Sequence, residues 1–177
     1  MMKILTFVMF FTFGFVLHAQ ENQSSSEHLS FKGIPIDGTL SQYVAKMKKA
    51  GFALTGTEKG FAVMKGEFAG YYDCSIVIST VQQQDIVNKI VVIFAERKDW
   101  SSLSNNYFSL KDLLVQKYGS PVYSIEKFQS YEPDSDGSKM IQVKLGACEY
   151  HSVFETEKGN IEVFIKKDDL SSCLDDL

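Results

Sequence analysis

The chain has 177 residues, 18 Lys plus Arg against 22 Asp plus Glu, and a formal net charge of −4. An acidic chain without a basic block argues against nucleic acid and against an anionic membrane surface as partners. Three histidines and three widely spaced cysteines do not make a zinc pattern, and no metal or cofactor is expected.

The first residues read as a targeting segment. Met1-Met2-Lys3 is a short positive start, Ile4 to Leu17 is apolar and uncharged, and Ala19 is a small residue at a cleavage point before Gln20. The apolar run is shorter than the ~20 residues that span a bilayer. Residues 1–19 are therefore expected to be a signal peptide, and the chain to be exported to a periplasmic or extracellular location. Cleavage leaves about 160 residues, enough for one ordinary domain. Residues 20–28 read as a flexible polar leader, 29–167 as a single α+β domain with halves at about 29–100 and 101–167, and 168–177 as an acidic tail.

Leu29 and Phe31 alternate with polar neighbours before Gly33-Ile34-Pro35 interrupts them. Thr39 and Gln42 form a T-x-x-Q capping box, and Leu40, Tyr43, Val44 and Met47 follow at helical spacing. Gly51 is placed to end that helix in a left-handed conformation. Strands are expected at Phe52–Thr55, Phe61–Phe68, Tyr71–Thr80 and Ile86–Phe94, joined by short turns and hence antiparallel. In the third, Tyr72, Cys74, Ile76 and Ile78 are assigned to one face, with Tyr71, Asp73, Ser75 and Ser79 on the other.

A second helix is expected after Trp100, capped by Asp99, Ser101 or Ser102. Leu103, Tyr107, Leu110, Leu114 and Tyr118 form its stripe, and Gly119 stops it before Pro121. Strands are then expected at Val122–Phe128, Met140–Leu145, Glu149–Thr156 and Asn160–Lys166. Ile90-Val-Val-Ile-Phe94 and Ile161-Glu-Val-Phe-Ile165 end the two halves alike. The expected fold is α+β: two tandem helix-plus-four-stranded-meander repeats forming one antiparallel sheet, with helices packed on one face.

This tandem order, over Phe31 to Lys166, resembles the β-lactamase-inhibitor-protein-like fold. The stretch FKGIPIDGTLSQYVAKMKKAGF, together with a leader ending in Ala-Gln, is similar to uncharacterised secreted proteins of Bacteroidetes-type bacteria. The inhibitor family carries a disulfide within each repeat. Here each half has one cysteine before the tail, Cys74 and Cys148, so the resemblance implies architecture and not inhibition.

With Cys173, those thiols allow at most one intramolecular bridge, and sequence does not choose it. A Cys148–Cys173 pair would pin the tail. The other reading is that Cys74 and Cys148 are small buried hydrophobes.

His151 shares a strand face with Glu149, Val153 and Glu155, which suggests either a general base oriented by a carboxylate or an ordinary exposed histidine. Cys148 is on the opposite parity, which argues against a Cys/His nucleophile. Asp134-Ser135-Asp136-Gly137 has the start of a calcium loop but lacks its later glutamate, and reads as a solvated turn. Tyr71, Tyr72, Trp100, Tyr123 and Tyr131 lie near strand ends and suit either contact with a ligand or cover for the core edge. No catalytic residue is assigned. The expected function is an exported, non-enzymatic binding module for a protein or glycan. The alternatives are a periplasmic hydrolase with a site near His151, or a structural partner in envelope assembly.

Overall fold

The computed structural model describes residues 28–81, 84–129 and 131–166. The expected signal segment, nearly all of the leader, and the tail with Cys173 lie outside the described residues.

β1 (Ser30–Phe31) and β2 (Ile34–Pro35) pair as a small hairpin over Lys32 and Gly33, both at positive φ, the geometry of a tight two-residue turn. α1 (Leu40–Lys49) begins at the capping box read from sequence. The Gln42 N–H donates to Thr39 Oγ1 at 3.3 Å, and the Thr39 N–H donates to Gln42 Oε1 at 3.2 Å. Leu40, Tyr43, Val44 and Met47 are buried as the spacing requires. Lys46, Lys48 and Lys49 lie in the last turn, where positive charge suits the helix dipole.

β3 (Ala53–Glu58), β4 (Phe61–Phe68), β5 (Tyr71–Thr80) and β6 (Val87–Ile93) form an antiparallel meander in chain order. Ala62, Met64, Cys74, Ile76 and Ile78 line the face that joins the buried side of α1 in one core. Asp85 Oδ1 accepts from the Leu40 N–H at 3.1 Å, and Gly38 O accepts from the Val87 N–H at 2.9 Å. These bonds tie the entry to α1 to the entry to β6. On the opposite face of the sheet Val77 is also buried, between its ladder neighbours Val63 and Val91.

The face assignment for β5 needs a correction at its start. The ladder shifts register between Gly66 and Phe68, and Asp73 takes a left-handed φ of 57°. Such a bulge breaks the two-residue alternation. Tyr71 therefore packs inward, edge-on to Phe94 at 5.1 Å, and Tyr72 is turned out and 73% exposed.

The second unit starts with α2 (Trp100–Tyr118), capped by Asp99, whose Oδ1 accepts from the Ser102 N–H at 2.7 Å. β7 (Tyr123–Phe128) follows, then α3 (Asp136–Lys144), β8 (Cys148–Thr156) and β9 (Gly159–Ile165). β7, β8 and β9 make a three-stranded antiparallel sheet. Trp100 and Tyr107 of α2, Val143 of α3, and Phe128, Tyr150 and Ile165 of the strands form its core. Trp100 is central, with Phe128 and Tyr150 rings each 5.0 Å away, so it is core and not a surface aromatic.

Two expectations are overturned. The expected single sheet is three sheets, of two, four and three strands. The strand expected at Met140–Leu145 is helix α3. Ser135 caps it by accepting from the Ser138 N–H at 3.2 Å, and its apolar residues Met140 and Val143 share one face at i, i+3. The Asp134–Gly137 stretch is thus the start of a helix, with Asp136 in its first turn. The second unit carries one strand fewer and one helix more than the repeat expected from sequence.

Leu29 links the two units, since a Cβ on Gly159 would stand 3.2 Å from Leu29 Cδ1. Among the described residues no helix is long and apolar enough to cross a membrane.

Two outcomes follow from the first core. A Cβ on Gly66 would meet Phe52 Cδ1 at 2.4 Å and Cε1 at 2.7 Å, and Phe52 is itself buried. Gly66→Ala is therefore expected to cost about 1–3 kcal/mol by overpacking, read as a lower urea midpoint at unchanged slope. The Tyr43 hydroxyl is buried without a hydrogen-bond partner among the described residues. Burial, then the Asp37 charge, pushes its pKa up to about 12. The folded pKa exceeds the unfolded one, so this contribution is whole below about pH 10 and is lost as pH rises toward 12. Tyr43→Phe loses no bond and is expected to leave stability at pH 7 unchanged or raised, and to flatten the alkaline decline in urea midpoint.

Candidate functional site

The strand histidine lies where parity puts it. His151 is on the face of the three-stranded sheet turned away from α2, with the rings of Tyr123 and Phe164 edge-on at 5.7 and 5.8 Å. The ladder explains the trio. Tyr123 is opposite Val153, and His151 is opposite Phe164, so all three project from one side of adjacent strands. Tyr123 is 50% and Phe164 45% exposed.

The carboxylate beside His151 is Glu162, not Glu149 or Glu155. His151 Nε2 and Glu162 Oε2 are 3.0 Å apart. A carboxylate only accepts, so this contact places the proton on Nε2. Glu149 is engaged elsewhere, by Gln129 Nε2 at 3.1 Å and Lys127 Nζ at 3.7 Å. Glu155 lies opposite Asn160 at the hairpin end. The acids expected to converge on the histidine are thus spread along β8, and the ring lies on an open surface between two aromatic edges.

Cys148 is on the other face, against the second core. Burial, then the charges of Glu132 and Glu149, pushes its thiol up to about 12. A nucleophilic cysteine needs a depressed pKa, so both direction and placement oppose a Cys148/His151 pair. The proposed Cys148–Cys173 bridge involves a residue outside the described residues. Cys74 is buried in the first core. Among the described residues no group of three or more His, Cys, Asp or Glu is arranged to hold a metal ion.

A polar cluster that sequence reading missed lies between α2 and the three-stranded sheet. The Tyr107 hydroxyl and Ser152 Oγ are 2.7 Å apart, and Ser152 Oγ is 2.9 Å from Ser124 Oγ. Lys111 Nζ donates to Ser124 Oγ at 2.9 Å and to Glu126 Oε1. The register makes the cluster, because Ser124 is directly opposite Ser152. Tyr107 and Lys111 are four residues apart and so share a face of α2. A Ser–Ser–Lys chain suggests nucleophilic catalysis, but a lysine that activates serine must be free to take the hydroxyl proton, whereas Lys111 Nζ is engaged by the Glu126 carboxylate. Ser152 is wholly buried. The cluster satisfies polar atoms beneath a helix and fixes where α2 sits.

A shallow recess lies beside the first sheet, lined by Gly70, Tyr71, Tyr72, Ala95 and Arg97. Of the five aromatics singled out in the sequence, Tyr72, Tyr123 and Tyr131 are exposed, Tyr71 is half-buried and Trp100 is buried.

No protein-family model, curated protein or solved structure matches the chain.

The polar cluster makes a stability prediction. Ser152→Ala leaves the Tyr107 hydroxyl with only its longer contact to Glu126, 3.3 Å away, and is expected to cost about 1–2 kcal/mol. Tyr107→Phe with Ser152→Ala should cost less than the two single changes added, in a double-mutant cycle of urea midpoints.

Proposed function

We propose that this chain is an exported, non-enzymatic binding module, and that the open face of its three-stranded sheet is the surface it uses. One observation carries the reading: Tyr123, His151 and Phe164 stand together on that face with their ring edges in contact and much of their surface exposed. Aromatic side chains on a rigid sheet offer a large contact area at low entropic cost and stack on sugar rings or apolar side chains. Half-buried Ile125 and Val153 fill in beside them. Export rests on the Met1–Ala19 pattern, which also supports a periplasmic or extracellular location. The helix-then-meander order of the first unit supports the likeness to the β-lactamase-inhibitor-protein-like architecture, and the stretch from Phe31 to Phe52 with the Ala19-Gln20 end of the leader supports the likeness to secreted Bacteroidetes proteins. A diverged duplication is the proposed origin of the two halves, with Gly51 and Gly119 ending the first helix of each at positive φ.

One contact favours a second reading. The 3.0 Å His151–Glu162 pair has the components of an oriented base, which keeps a hydrolase site in play.

The test uses the chain from Gln20 onward, screened for binding on a glycan array and against envelope proteins by cross-linking. The Tyr123→Ser/Phe164→Ser variant should retain its fold by circular dichroism and weaken the bound partner by about tenfold or more. Full binding by that variant removes the open face as the surface. Hydrolysis of an ester, peptide or glycoside substrate that disappears in His151→Ala replaces the binding reading with the hydrolase one.

A further inference from the structure

Arg97 is the sole arginine of the chain. It follows β6 where the backbone leaves the first sheet for α2, and it lines an open recess of ≈ 260 Å³ with Gly70, Tyr71, Tyr72 and Ala95. Part of the lining comes from the β4–β5 turn. Ala69 and Gly70 have φ of 51° and 81°, so the hairpin closes in two residues. Tyr71 is anchored edge-on to Phe94, and the bulge at Asp73 turns Tyr72 out into solvent. The recess thus has one fixed ring, one free ring and one cation.

The cation is underused. Its Nε is buried and has no hydrogen-bond partner among the described residues. The ion pairs of Lys46, Lys111, Lys127, Lys139 and His151 do not involve Arg97. The nearby Asp99 carboxylate feels the Arg97 charge, but its hydrogen bond goes to the Ser102 N–H as the cap of α2. A buried guanidinium N–H is costly to leave unmatched, and the guanidinium fork suits a planar two-oxygen acceptor. No lysine lines the recess, and the chain as a whole is acidic. One cation in such a field suits a single negative charge better than a phosphate dianion.

We propose that this recess is a carboxylate-binding site, in which Arg97 takes the carboxylate through its Nε–Nη edge and Tyr72 stacks on the carbon skeleton beside it. Nε is closed to water in the free recess, so the guanidinium turns toward the opening when the ligand enters. The ligand carboxylate belongs either to a peptide C-terminus or to an acidic sugar. The site stands on the four-stranded sheet and does not depend on the aromatic face of the three-stranded one.

A single arginine gives a single Nε–Hε resonance, so nuclear magnetic resonance reads this site directly in the chain from Gln20 onward. The probes are N-acetyl-Ala-Phe with a free carboxylate, its C-terminal amide, galacturonate and galactose. Saturable shifts of the Arg97 Nε–Hε and Gly70 amide signals are expected with at least one acid and with neither neutral analogue. A response to the peptide acid alone assigns a C-terminus, a response to galacturonate alone assigns a sugar acid, and a response to both assigns a general carboxylate site. Arg97→Lys, which keeps the charge and removes the fork, should weaken binding about tenfold. Tyr72→Ala, at an exposed position, should also weaken it with the amide spectrum otherwise intact. The proposal is overturned by no saturable shift with either acid up to about 10 mM, by equal shifts from acid and neutral analogue, or by full affinity in Arg97→Lys.

Discussion

The exit from α1 sets the first half of the molecule. Ala50 ends the helix and Gly51 turns left-handed at φ 95°, a conformation that side chains with a Cβ resist. That turn brings the Phe52 ring onto the bare backbone of Gly66 in β4. The ring also lies 5.9 Å from Phe31 of the β1–β2 hairpin, and Phe31 stacks on Phe68 at 4.9 Å. One residue without a side chain therefore lets helix, hairpin and sheet close on a common aromatic layer. The capping box fixes where α1 starts and Gly51 fixes where it stops. The Phe52–Gly66 contact then decides how the helix lies on the strands.

The second unit is held differently. Its core is built from large rings, with Tyr107, Trp100, Phe128 and Tyr150 meeting edge-on or tilted, and a line of hydroxyls and charges runs through its margin. Tyr150 is pushed up to about 12, by burial first and then by the charge of Glu132. Tyr107 moves the same way, again by burial, against the opposing effect of its bond to Ser152. Both hydroxyls are kept as neutral groups. Asp136 of α3 accepts from Ser101 Oγ at 2.9 Å, which ties the start of α2 to the start of α3. Helices on one side leave the other side of the sheet open, and the Tyr123–His151–Phe164 trio occupies that side.

Local chemistry made much of this readable from the chain. Thr39, Gln42 and Gly51 act through neighbours three residues away, and the strands from Phe61 to Thr80 announce themselves by alternation. The failures share a different cause. Met140–Leu145 has the apolar content of a short strand, and only the cap at Ser135 with the i, i+3 placement of Met140 and Val143 marks it as helix. The number of sheets depends on which strands meet across the chain, which composition does not encode. The partner of His151 was partly legible: a tight hairpin after Thr156 places Glu162 opposite Val153, one diagonal from His151. The Tyr107–Ser152–Ser124–Lys111 line was not, because it needs the β7–β8 register and the seat of α2 at once.

The bulge in the β4–β5 hairpin joins these threads. Gly66, opposite Cys74, is its last regular ladder position before the shift, and the left-handed Asp73 lies next to Cys74 in the unpaired stretch of the other strand. The Cys74 thiol, buried beside it, donates to the Tyr71 carbonyl at 3.3 Å, so an otherwise inert core cysteine holds the distortion in place. Without the shift, Tyr72 would follow the parity of Cys74 and Ile76 into the core, and Tyr71 would face out. With it, Tyr71 completes the aromatic layer against Phe94 and Tyr72 stands free beside Arg97. The same irregularity that lets the first core close also places an exposed ring beside Arg97, whose Nε has no hydrogen-bond partner among the described residues. The recess is a consequence of how the sheet packs: the bulge fixes the backbone of its wall and leaves the Tyr72 ring and the Arg97 side chain to meet what enters.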